Sequence, residues 1–175
     1  MTSDITVLMK VEDIEGSSTL EGYDPEPNGS HVGWIPIESC SFNFHRDVTV
    51  ADEDSDDESE VRGSPNRVDP LTVKRTSDFT TAKLLMWLAN AENKEPKRAV
   101  TIDYVVPSGR YYLRYEIEGA ELVSCSLSYQ EPDDASETLV FTFDKVKIFQ
   151  RPIGESGEVD TSKEDVAEYV VFEGK

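Results

Sequence analysis

The stretch TVKRTSDFTTAKLLMWLANA, Thr72–Ala91, decides the fold. Its first residues continue a strand-like run that begins at Leu71. Asp78, or Ser77 beside it, then offers a side-chain oxygen to the free N–H groups of a first helical turn. Ala82, Leu84, Leu85, Met86, Trp87, Leu88 and Ala89 follow almost without a break. A helix with one buried face would space its apolar residues three and four apart, with polar residues between. Here Ala82, Leu85, Leu88 and Ala89 fall on one face and Leu84, Trp87 and Ala91 on another. The sequence therefore predicts one helix over about 78–91, covered on more than one side. Either the chain's own sheet wraps it, or a second subunit does, and Leu84, Trp87 and Ala91 are then the candidate oligomer interface.

Around that helix the sequence reads as strands. Ile5–Val11 is a first strand, and its run Val7, Leu8, Met9 suggests cover on both faces. Residues 17–31 are rich in Gly, Pro, Ser and Asp and read as a surface loop. Val32–Phe44 is a long strand whose apolar face changes near Ser39, which predicts a bulge or bend there. Val100, Ile102, Tyr104 and Val106 alternate, PSGR (Pro107–Arg110) turns the chain, and Tyr111, Leu113, Tyr115 and Ile117 form the next face. Val123, Cys125, Leu127 and Tyr129 alternate with serines. Leu139, Phe141 and Phe143 have one parity and Val146 and Ile148 the other, which predicts a second bulge or a strand shared between two sheets. Tyr169–Phe172 is a short last strand. The total is about eight strands with one flanking helix: a mainly β fold, a two-sheet barrel or sandwich.

The length, 175 residues, suits one domain over 1–175. Two segments fall outside the strand pattern. An acidic loop at about 50–68 carries DEDSDDESE (Asp52–Glu60), too dense in like charge to pack. A polar linker occupies about 152–165. The net charge is −19. Phosphate-binding surfaces need Lys and Arg, so nucleic acid and anionic membranes are disfavoured partners. No apolar run approaches the ~20 residues that span a bilayer. The segment Met1–Asp4 lacks the basic and apolar regions of a signal peptide. The expectation is a cytoplasmic protein, exported, if at all, without a cleaved signal.

The sequence offers no chemistry. A triad needs a base, and the two histidines, His31 and His45, read as exposed loop and strand-end residues with no nucleophile motif beside them. Cys40 and His45 would point to opposite faces of a regular strand, which excludes a zinc pair. Both cysteines, Cys40 and Cys125, read as buried mid-strand thiols. The acidic run lacks the central glycine of a calcium loop. No phosphate-cradling glycine loop is present. The expectation is no catalytic residue, no metal and no cofactor. One binding role fits the composition: a non-catalytic, secreted β-sandwich whose tyrosines (Tyr104, Tyr111, Tyr112, Tyr115, Tyr129) hold a carbohydrate or protein ligand.

Several segments, in order, resemble the Hcp family, the tube protein of bacterial type VI secretion systems. They are IEGSS (Ile14–Ser18) after the first strand, WIPIES (Trp34–Ser39), LTVKRTSDFTTAKLL (Leu71–Leu85), ETLVFTFDKV (Glu137–Val146) and YVVF (Tyr169–Phe172). Gly16, Trp34, Ser39, Asp78, Leu84, Leu85 and Glu137 carry the match. The resemblance implies a two-sheet barrel with a flanking helix, six copies in a ring, and rings stacked into a tube. It implies sheath, spike and effector proteins as partners, and no catalytic residues. Where the family's loop after its second strand is often rich in Gly and Ser, this chain has Asp52–Glu60. Six chains of −19 each repel, so a ring should depend on salt.

Overall fold

Alternation at period two becomes a closed barrel in the computed structural model, which describes residues 4–21, 30–46, 67–89, 96–131 and 134–171. Among these residues lie eleven strands and one helix. The strands are β1 (Thr6–Val11), β2 (Ile35–Ile37), β3 (Ser39–Ser41), β4 (Phe44–His45), β5 (Arg67–Val68) and β6 (Leu71–Thr76). The helix α1 (Thr81–Ala89) follows, then β7 (Arg98–Val105), β8 (Tyr111–Ser128), β9 (Ser136–Thr142), β10 (Lys145–Gln150) and β11 (Asp165–Val170). All pairings are antiparallel.

The strand path runs β2-β1-β7-β8-β9-β6-β3. Its two ends, β2 and β3, are consecutive in the chain and separated only by Glu38, whose N–H donates to the Lys74 carbonyl at 2.8 Å. The path therefore closes on itself. This is the bend the sequence predicts near Ser39: the strand changes partner, from β1 to β6, at Glu38.

The strand β8 joins the two sheets. Its first part lies between β7 and β10, and its second part pairs with β9. Gly119 sits at the change with φ of 65°, and a Cβ there would collide with the Asp144 carboxylate. Only glycine supplies that conformation and that approach together. The two strands expected over 111–129 are thus one, bent and not broken. The parity change after Phe143 has the same origin: β9 and β10 pair with different parts of β8. The expected eight strands become eleven because short pieces at Ile35–His45 and Arg67–Val68 form separate ladders.

One face of the sheets builds the main core. Met9, Ile102, Ile117, Leu71, Val73, Leu139 and Phe141 are fully or almost fully buried in it, with Leu84 and Trp87 from α1. A smaller core, Leu8, Trp34 and Val105 with Leu20, lies on the opposite face of β1 and β7. The alternation of β1 supplies both: Leu8 points one way and Met9 the other. This explains the run Val7, Leu8, Met9.

Segment 151–164 is an ordered connection. Ile153 bridges to Val159, which is buried, and Gly154 N–H donates to the Glu158 carbonyl at 2.9 Å. The acidic run Asp52–Glu60 lies outside the described residues; Arg67 and Val68, at the end of the expected loop, form β5.

Candidate functional site

The helix begins on a cluster of buried charge. Arg75, fully buried at the end of β6, donates from Nη2 to Asp78 Oδ1 at 2.5 Å and from Nη1 to Thr80 Oγ1 at 2.7 Å. Asp78 also accepts from the Thr80 amide at 2.7 Å, which makes it the capping acceptor the sequence predicts. The Thr81 hydroxyl donates to Glu137 Oε1. Glu137 Oε2 lies 3.0 Å from Arg75 Nε, an ion pair rather than an aligned hydrogen bond. Arg75 and Glu137 are directly opposite in the β6–β9 ladder. One cation and two carboxylates thus tie the helix entry to the barrel wall. Burial opposes ionisation of Asp78, but bonds from the Thr80 hydroxyl and amide, then from Arg75, outweigh it and hold its carboxyl below the usual range.

From that anchor α1 turns one face inward. Leu84 and Trp87 are buried and Leu85 and Leu88 half-buried, whereas Ala82, Lys83, Met86 and Ala89 are exposed. Trp87 stacks near Phe141 at 5.8 Å between ring centroids, and its Nε1 donates to the Pro96 carbonyl at 2.7 Å. The expectation that Leu84 and Trp87 face a partner is therefore corrected: both belong to the protomer's own core. The physical reason is the 3.6-residue period, which puts Leu84, Trp87 and Leu88 on one stripe that the barrel covers. Ala91 lies outside the described residues. The exposed apolar residues here are Met86 (62%) and Phe79 (61%), just before the helix.

The other motif residues are structural as well. The Gly16 amide donates to the Gly33 carbonyl at 2.7 Å, and a side chain there would collide with the Trp34 backbone. Trp34 is buried in the small core. Ser39 opens β3, exposed, opposite Lys74.

A second buried cluster has no motif to announce it. His31 is not an exposed loop residue: it is buried, with Nε2 2.7 Å from Asp103 Oδ2. Asp103, fully buried on β7, also accepts two bonds from Arg114, each 2.7 Å. Burial works against the Arg114 charge, but the bonded Asp103 carboxylate more than restores it, and its pKa is raised. The Tyr111 ring lies between two guanidinium groups, Arg114 at 3.9 Å and Arg151 at 4.0 Å. Glu164 completes the group, accepting from Tyr111 Oη at 3.0 Å and Arg151 Nε at 2.7 Å. Asp103 and Arg114 are direct partners in the β7–β8 ladder; His31, Arg151 and Glu164 come from the two connections that pack over it. The only sequence signal was an acid opposite a base on paired strands, visible once the PSGR hairpin is accepted.

The tyrosines do not form a flat platform. Tyr104 packs against Tyr112 and Tyr115 at centroid distances of 6.1 and 5.8 Å, Tyr111 is buried, and Tyr129 alone of the five is exposed. Cys40 and Cys125 are half-buried free thiols. Burial pushes the Cys40 thiol up, partly offset by its contact with Tyr104 Oη at 3.0 Å. Among the described residues no group of three or more His, Cys, Asp and Glu is placed to hold a metal ion. No helix among them is long and apolar enough to cross a membrane.

Among the described residues, two of the surface recesses lie beside α1 and β11. A wide groove of about 570 Å³ opens between Lys83 of α1 and the chain around Glu15 and Trp34. A smaller apolar recess of about 240 Å³ is lined by Phe44, Ile148, Ala167, Glu168 and Tyr169, beside the outermost strand β11.

Residues 8–149 match the family model described as "Type VI secretion system effector, Hcp". Among solved structures, the chain is similar to a type six secretion system protein at 14% identity, covering 95% of this chain and 96% of that one, with a TM-score of 0.76. It is similar to Hcp1 from Salmonella typhimurium at 17% identity, over 95% and 94% of the two chains, with a TM-score of 0.65. It also resembles a chain of the sheath–tube complex of an extracellular contractile injection system, PVC, in the extended state, at 16% identity, over 81% and 86%, with a TM-score of 0.59. Among curated proteins no sequence matches the chain.

Proposed function

We propose that this chain, which belongs to the Hcp family of type VI secretion proteins, is a structural subunit of the secretion tube. Six copies close into a ring, rings stack, and the lumen carries effector proteins inside a contractile sheath and behind a spike. The chain leaves the cell by the type VI route. It performs no catalytic step; its work is to hold shape and to assemble.

The observation that carries this reading is the family match over residues 8–149. The closed barrel agrees with it, and so do the buried charges. Asp78 and Glu137 hold the helix on the barrel wall, a rigidity suited to a building block that repeats. The net charge of −19 opposes assembly, and salt screens that repulsion beyond about 8–10 Å. Light scattering after size exclusion tests the reading. A species of six protomer masses, favoured by moderate salt, is expected. A strict monomer at high protein concentration and moderate salt would overturn it.

A further inference from the structure

We propose that the two connections packed over β7 and β8 form one conformational unit: residues 151–164 hold the strap around His31 closed and are held closed by it. The inference concerns the protomer and stands apart from the ring reading above.

Each connection has bonds of its own. In the strap, residues 30–34 bond to residues 16–20: the His31 amide donates to the Leu20 carbonyl at 3.1 Å and the Gly33 amide to the Ser18 carbonyl at 2.8 Å. In the second connection, the Gly154 amide donates to the Glu158 carbonyl and the Asp160 amide to the Pro152 carbonyl, each at 2.9 Å. Side chains on β7 and β8 join the two. His31 meets Asp103, and Asp103 takes both bonds from Arg114. The Arg114 guanidinium lies against the Tyr111 ring at 3.9 Å, and Arg151, from the other connection, lies against the same ring at 4.0 Å. Glu164 holds both Arg151 and the Tyr111 hydroxyl.

The coupling is a matter of shared dryness. His31, Asp103, Tyr111 and Arg151 are all buried. Hydrogen bonds and charge attractions are strongest where water is kept out, and they weaken as the local dielectric rises. Lifting residues 151–164 takes Arg151 and Glu164 off Tyr111. Water then reaches the ring and Arg114, and the bonds that hold His31 weaken. Lifting His31 wets Asp103 and loosens Arg114 from the ring on which Arg151 sits. A guanidinium held over a ring gains most when both are desolvated, so each contact needs the other connection closed. The ring of Tyr111 carries this coupling; its hydroxyl is not required. Trp34 and Leu20 belong to the strap and to the small core with Leu8 and Val105, so the unit also guards that core from water.

Native-state hydrogen exchange tests this, because amides closed by local bonds report local opening. The Gly33 amide reads the strap, those of Gly154 and Asp160 read the second connection, and the Leu84 amide, bonded to the Thr80 carbonyl in α1, reads the rest of the barrel. Glu164→Ala alters only the second connection. It should speed exchange at Gly154 and Asp160 and, by a similar factor of about tenfold, at Gly33, with Leu84 unchanged. His31→Ala should do the reverse, speeding Gly154 and Asp160 along with Gly33, since coupling between two equilibria is reciprocal. Faster exchange confined to the connection that carries the substitution overturns the proposal. So does an equal change at Leu84, which would make the opening global. Because His31 is buried and its removal can cost the fold, Glu164→Ala, at a partly exposed position, decides the matter alone.

Discussion

The cluster at the helix entry and the cluster on the opposite face of the barrel solve one problem in different ways. Each holds an arginine against carboxylate, Arg75 fully buried and Arg114 partly so. At the helix entry Arg75 meets two acids, Asp78 three residues away and Glu137 across the ladder. Under the loop, Asp103 is the carboxylate shared by Arg114 and His31. The first arrangement gives its arginine a second carboxylate; in the second, Glu164 bonds Tyr111 and Arg151, and Asp103 is the carboxylate bonded to both Arg114 and His31. A buried ion pair adds little net stability over an apolar replacement, but removing one partner strands the other's charge. The comparison therefore predicts unequal tolerance to losing one acid.

Asp103→Ala should have the largest effect. It leaves Arg114 and His31 without their shared acceptor in a site where Asp103 itself is fully buried. A loss of about 3–5 kcal/mol is expected from urea unfolding, as for other broken buried pairs. The small core of Leu8, Trp34 and Val105 should loosen with it, so Trp34 fluorescence should change in a Trp87→Phe background. A loss below that of the next variant would break the comparison.

Glu137→Gln should cost less, about 1.5–3 kcal/mol, the range for a hydrogen bond to a charged group. Arg75 keeps Asp78, and the amide can still accept from Thr81. Equal losses for the two variants would mean that the second acid at the helix entry gives no reserve.

Asp78 sharpens the comparison through pH. Asp78→Ala removes a helix cap, for about 1–2 kcal/mol. Its folded pKa lies below the ordinary 3.8. A depressed carboxylate contributes stability that is present above the unfolded pKa and is lost as pH falls toward the folded one. The wild type should therefore lose part of its stability below about pH 4, and Asp78→Asn should flatten that limb of the curve. An unchanged acid limb would remove Asp78 from the account.

The same contrast governs what could be read from the sequence. Asp78 was legible because a cap is local: a strand, an oxygen-bearing side chain and an apolar run follow one another. The strand alternation gave most of the barrel for the same reason. His31 was not legible, because its partner is 72 residues away and nothing within the loop shows that a strap covers β7. Gly119 carried no signal in the alternation on either side of it, yet its positive φ bends β8 from one sheet into the other. Trp87 and Leu84 misled. Their number suggested a surplus to be covered from outside, yet the barrel wall absorbs both, and the exposed side of α1 shows one large apolar residue, Met86. Periodicity locates a helix; which stripe the protein itself covers depends on contacts distant in sequence.

Tyr111→Phe is the smallest change and probes the rim of the second cluster. The ring keeps its place between Arg114 and Arg151, so the cation–π contacts survive. What is lost is the bond from Oη to Glu164, which is partly exposed and keeps Arg151 as a partner. A loss of about 0.5–1 kcal/mol in urea unfolding is expected. If Tyr111→Phe instead approached the Asp103→Ala loss, the hydroxyl and Glu164 would be integral to the charge balance around Arg114. Glu164 would then support Arg114 as Glu137 supports Arg75, and the proposed difference between the two clusters would fail.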